Sequence, residues 1–252
     1  MKFIWTISFF ILFSITGQAQ VVNSDYQKLF DHYMMDEFED CLKKSMKFIE
    51  KDKHRRSPEP YIFDARSHVG LNMEEGDFDT RVDHIKSAVK LAGKYARYRD
   101  KTDDPLAYQK LYSEDLTEIK ESAYEIAFYF IQGEKLRKAN YYVRKVHKMQ
   151  EEEPIVQVLA GMAKMTQGNF RMGTPMFEEG IEALKQQEIN AVESETVNKL
   201  LYHYLRQFRP VAERLDKQDE FMKVATSVNE LLFGEYADRA DRLIESFGND
   251  QG

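Results

Sequence analysis

Apolar residues recur at spacings of three and four through almost the whole of this 252-residue chain. That spacing follows the turn of an α-helix and puts the apolar groups on one face. Val82, Ile85, Val89, Ala92 and Ala96 make one stripe, and Ile119, Ala123, Ile126, Ala127 and Phe130 a second. Val197, Leu200, Leu201, Tyr204 and Leu205 make a third, and Tyr236, Ala240, Leu243, Ile244 and Phe247 a fourth. No alternating run bounded by a turn pair such as Asn-Gly interrupts them, so strands are not expected. The pattern predicts an all-α protein with helices near 24–35, 37–51, 58–72, 79–99, 116–132, 135–149, 154–167, 171–185, 191–207, 210–232 (broken) and 235–247. Ser57 and Pro58 read as N-cap and first residue of the third, since proline is tolerated there. Residues 97–113 are charged and contain Asp103, Asp104 and Pro105, which predicts a long connection with one short helix after Pro105.

The first residues form a separate unit. Lys2 precedes an apolar run from Phe3 to Ile15, and Gly17 and Ala19 then supply small residues in the positions of a cleavage site. This is the layout of a secretory signal peptide over residues 1–19, and the run is short for a membrane span. The expected product is exported, periplasmic or secreted, begins at Gln20, and has no stable membrane insertion. Residues 20–252 then form a single domain. Cys41 is the only cysteine, so packing, not an internal disulfide, must hold the domain together. The formal net charge is -7, which argues against nucleic acid, whose phosphates require a basic surface.

The segment LAGMAKMTQGNFRMGTPMFEEGIEAL, from Leu159, places Gly161, Gly168, Gly173 and Gly180 in a helical pattern. Three glycines inside helices cost roughly 3 kcal/mol together relative to alanine. The upstream sequence suggests what offsets that cost. Ala127 lies 34 residues before Gly161, Ala139 lies 34 before Gly173, Glu134 lies 34 before Gly168 and Val143 lies 34 before Phe177. Small residues at a crossing let two helix backbones approach, and a bulky neighbour such as Phe177 fills the remaining space. Gly168 reads as the turn, where positive φ suits glycine. Gly161→Leu or Gly173→Leu should then unfold or splay the pair, and Gly161→Ala should be mild. Thr174 and Pro175 suggest a second helix that starts late, with Thr174 as its N-cap.

With this 34-residue period the chain resembles the tetratricopeptide repeat family, as an exported bacterial member. The resemblance is clearest over residues 116–184. Flanking repeats over 24–99 are degenerate, and 190–248 read as capping helices. It implies antiparallel helix hairpins stacked as a right-handed superhelix, with a concave groove lined by the first helix of each pair. Carried over residue by residue, the groove holds Glu121, Tyr124, Phe128 and Ile131 in one unit, and Ile155, Val158, Met162 and Met165 in the next. Such a groove is apolar and suits a peptide or helix of another protein. A neighbouring helix, with 235–247 as the candidate, would close it if packed there. An accessory role in an envelope assembly, through outer or terminal surfaces, is the second reading.

No catalytic constellation stands out: no His-Glu-x-x-His, no glycine-rich phosphate loop and no Cys-x-x-Cys. No metal or cofactor is expected. The pairs Asp31–His32 and Asp83–His84 read as surface, His203 as a packed histidine, Glu151 to Glu153 as an acidic turn, and Lys51 to Arg56 as a solvated basic loop.

Overall fold

The computed structural model describes residues 24–187 and 194–249, and every regular element among them is helical. The signal peptide expected over residues 1–19 lies outside the described residues, as do 191–193, where the ninth predicted helix would begin. A short 3-10 turn, Ser24–Tyr26, leads into α1 (Gln27–Met34), α2 (Phe38–Ile49), α3 (Glu59–Glu74) and α4 (Phe78–Arg99). Then come α5 (Pro105–Leu111), α6 (Ser113–Gln132), α7 (Leu136–Met149), α8 (Pro154–Met165) and α9 (Phe170–Gln186). The chain closes with α10 (Glu195–Arg214), α11 (Gln218–Asn229) and α12 (Glu235–Asn249). α3 begins after Pro58 without the Ser57 cap, and Pro60 falls in its first turn, where its missing N–H costs nothing.

Four connections are one and the same turn. Asp36, Glu134, Gly168 and Asp216 all take positive φ, at 58°, 58°, 78° and 54°. In each, the next N–H donates to the carbonyl five residues back: Glu37 to His32 at 2.9 Å, Lys135 to Phe130 at 2.8 Å, Asn169 to Lys164 at 3.0 Å and Lys217 to Ala212 at 2.8 Å. This helix-ending motif satisfies a carbonyl that the helix leaves free, and it folds α1–α2, α6–α7, α8–α9 and α10–α11 back as hairpins. The left-handed residue after α6 is Glu134, while Gly133 keeps φ at -82°. An L-residue pays about 1–2 kcal/mol for that conformation, whereas glycine costs roughly 0.5–1 kcal/mol in the unfolded chain. Glu134→Gly should therefore raise urea-unfolding stability by about 0.5–1 kcal/mol.

At the α8–α9 crossing the glycines touch backbone. A Cβ on Gly161 would lie 2.7 Å from the Phe177 nitrogen and 2.8 Å from the Gly173 oxygen. One on Gly173 would lie 2.6 Å from Met165 Cγ and 2.8 Å from the Gly161 oxygen, and one on Gly180 would lie 2.7 Å from the Pro154 oxygen. This corrects the expectation that alanine is mild at Gly161, because the atoms in the way belong to main chain. Phe177, Ala127 and Ala139 are buried.

Two prolines sit within helices. α9 starts at Phe170, with Asn169 Oδ1 accepting from the Met172 N–H at 3.4 Å, and runs through Pro175. The predicted late start at Thr174 is therefore corrected: starting there would take Gly173 out of the helix that packs on Gly161. α10 likewise runs through Pro210 to Arg214, where a break after 207 was expected. Both prolines are exposed, and the burial of Phe177 around one, and of Phe208, Val211 and Ala212 around the other, keeps each helix continuous.

α3 packs against α1, α2, α4 and α6 and is buried on nearly all sides. It carries Glu59, Asp64, Arg66, Ser67 and Asn72 inward. Tyr108 Oη donates to Glu59 at 2.8 Å, and the Arg66 guanidinium lies 3.7 Å over the Tyr33 ring. Arg66 Nε is 2.5 Å from Asp115 Oδ1 but off the hydrogen-bond axis. Burial pushes the Asp64 carboxyl up to about 7 against the pull of Lys94, and Asp115 up to about 6 against the pull of Arg66.

Candidate functional site

α10 decides which face of the hairpins is open. It lies across α6 and α8 and buries Leu200, Leu201, Tyr204, Leu205 and Phe208. The residues expected to line a groove are covered by neighbouring helices. Tyr124, Ile131, Val158, Met162 and Met165 are buried, and Phe128 and Ile155 are half-buried against the core. The Phe128 ring meets His203 edge-on at 5.3 Å, Lys199 lies 5.7 Å over the Phe128 ring, and Ser194 Oγ donates to Glu121 at 2.9 Å. Burial lowers His203 to about 4, so its ring packs here as the neutral form. The open groove is thus corrected: Glu121 and Phe128 lie against α10, while Val158 and Met165 pack toward Gly180 and Gly173 of α9. The helix over Phe128 is not the 235–247 helix either, since α12 packs on α10 and α11.

A polar clasp fixes this arrangement. Tyr204 Oη donates to Asn140 Oδ1 at 2.8 Å, and Asn140 Nδ2 donates to the Ala163 carbonyl at 3.2 Å. The clasp ties α10 to α7 and α8 inside the core, where an unpaired group would be costly. Asn198 does the same for the last turn, donating to the Phe233 carbonyl at 3.1 Å and accepting its N–H at 3.2 Å.

The open surface lies on the far side of the clasp. A cleft of about 960 Å³ runs between α7 and α9, with α8 as its floor. The α7 wall presents Arg137, Tyr141, Arg144 and Lys148, the floor Gln157, Ala160, Ala163 and Lys164, and the α9 wall Met172, Met176 and Glu179. The cleft is larger than its counterpart of about 480 Å³ between α4 and α7 over Phe130, and a change between the two 34-residue units accompanies the difference. Ile126 and Phe130 of α6 are buried beside α4 and α7. Their counterparts 34 residues on are Ala160 and Lys164, one too small and the other too polar to fill the gap.

The electrostatics of this cleft run against the charge of the chain. α7 holds Arg137, Lys138, Arg144, Lys145 and Lys148 and no acidic residue, in a chain of net charge -7. Among the described residues Arg137, Arg144, Lys148 and Lys164 form no ion pair. Lys145 is turned to the Tyr141 ring at 5.5 Å, with its pKa lowered mainly by burial. Burial also lowers His147, which therefore adds no charge at neutral pH. Glu151 and Glu152 close one end of the cleft. Met172 is exposed at 52%, so the wall opposite the cations carries an adaptable apolar side chain beside Met176, with Glu179 further along.

The basic run of α7 is legible in the sequence as LRKANYYVRKVHKM, apart from the Lys51–Arg56 loop and the groove positions. No group of three metal-ligating side chains occurs among the described residues, and none of their helices is long and apolar enough to cross a membrane. No protein-family model, curated protein or solved structure matches this chain.

Proposed function

We propose that the chain is an exported, non-catalytic interaction module, built as a tetratricopeptide-like superhelix of hairpins, whose protein partner docks in the α7–α9 cleft. The observation that carries this reading is the set of cations, unpaired among the described residues, along an open cleft of an acidic protein. The 34-residue spacing from Ala127 to Gly161 supports the repeat, and the Lys2 to Ala19 pattern supports export. With α10 over the α6–α8 face, docking through outer surfaces is favoured, as in an accessory subunit of an envelope assembly. Exposed cations of this kind set partner choice and encounter rate more than raw affinity.

A photo-crosslinking residue at Met172, inside the cleft, is expected to give a discrete protein adduct in the native host. The same residue at Met46, exposed on α2 outside the cleft, gives none, and Arg144→Glu depletes the Met172 adduct. Adducts from position 128 in place of 172 overturn the proposal.

A further inference from the structure

We infer that the partner's docking element is an acidic amphipathic helix, with a carboxylate stripe toward α7 and an apolar stripe toward α9; this rests on the docking reading above. Each wall contributes to the argument. Arg137, Arg144 and Lys148 follow one another at seven and four residues along α7, which puts them on one helical face. They have no counter-ion among the described residues, so a carboxylate stripe gains charge-assisted hydrogen bonds without breaking a pair seen there. Lys164 extends the positive field across the floor. Met172 and Met176 sit one turn apart on the opposite wall, a spacing that receives the i and i+4 apolar residues of a docked helix.

The floor favours a helix. Ala160 and Ala163 leave it low, and Gln157 is an amide with no partner among the described residues. A cylinder as wide as a helix, about 10 Å, fills the 960 Å³ with roughly two turns. The acidic end formed by Glu151 and Glu152, together with Glu179, sets polarity: it repels carboxylates there and selects a helix whose basic or neutral terminus lies at that end. A uniformly acidic polymer, such as a polyuronate, meets repulsion at those three groups and gains nothing from the methionines.

The test is fluorescence anisotropy on the purified protein with labelled 16-residue helical peptides. One carries a Glu stripe beside a Leu stripe, a second has Lys in place of Glu, and a third has Ser in place of Leu. An oligogalacturonate of equal charge is the polymer control. The Glu/Leu peptide is expected to bind, the other three to bind at least tenfold more weakly, and added salt to weaken binding. Arg144→Glu with Lys148→Glu, both exposed and off the core, should reduce affinity at least tenfold with the circular dichroism unchanged, and Met176→Ser should reduce it independently. Equal binding of the Lys peptide, no effect of the α7 reversals, or uronate binding indifferent to Met176→Ser overturns the assignment. Failure of every peptide beside a persisting Met172 adduct rejects the acidic helix and leaves the docking reading intact; loss of that adduct rejects both.

Discussion

Gly161→Ala is expected to destabilise the fold by about 2 kcal/mol in urea titration, and Gly161→Leu to leave no folded protein. Two effects oppose each other at this site. Alanine in place of a helical glycine gains about 1 kcal/mol of propensity. Against this, the added Cβ meets Phe177 nitrogen, Gly173 oxygen and Phe177 Cβ at 2.7, 2.8 and 2.9 Å. Overpacking costs about 1–3 kcal/mol, and the upper end applies because main chain must move. The steric effect wins. Gly93 is the control. A Cβ there meets nothing within 4 Å, so Gly93→Ala should show the propensity gain alone, about 1 kcal/mol of stabilisation. Equal effects at the two positions would show that α8 and α9 do not approach as described.

Tyr204→Ala is expected to cost about 3–5 kcal/mol, the range for deleting a buried aromatic ring. Tyr204 is fully buried, and burial raises the pKa of its hydroxyl, which stays protonated and donates to Asn140. Tyr204→Phe separates the two contributions. It keeps the ring and strips the donor from Asn140, at a cost of about 1–3 kcal/mol. Hydrogen exchange read across α10 should accelerate first in the alanine variant, because α10 is the helix that loses its anchor. A Tyr204→Ala variant as stable as the parent would mean that α10 is not seated on the α6–α8 face.

How far these features were legible depends on the physical signal each leaves. The apolar stripes of α4, α6 and α10 marked helices because each buries one face. α3 left no such stripe, because it is enclosed by four neighbours and carries Glu59, Asp64 and Arg66 inward. The glycines at 161, 173 and 180 were readable as contacts, but that a single Cβ is already too much there depends on main-chain distances. Of the four identical turns, Gly168 alone is marked by glycine; Asp36 and Asp216 belong to a residue type tolerated at positive φ but common elsewhere, and Glu134 carries no such signal. Pro210 suggested a break because proline removes one helix hydrogen bond, yet the buried residues around it outweigh that loss. The apolar positions of α6 and α8 were found, but an apolar face looks the same in sequence whether a partner or a neighbouring helix covers it. The cleft had two visible signals, five cations on α7 and the change from Ile126 and Phe130 to Ala160 and Lys164. The second acquires meaning only once α7 and α9 are known to flank α8.

The central claim is that a partner docks between α7 and α9 while α10 stays in place. Glu121 and Ser194 join α6 to the start of α10 through their hydrogen bond. With both replaced by cysteine, a short bismaleimide ties the two helices together, while Cys41 is buried and spared. The measurement is the yield of the Met172 photo-adduct from native extract, with and without that tie. An unchanged yield is the predicted result. Loss of the adduct on tying α10 down would mean that the partner enters the α6–α8 face by displacing it, and would contradict the account.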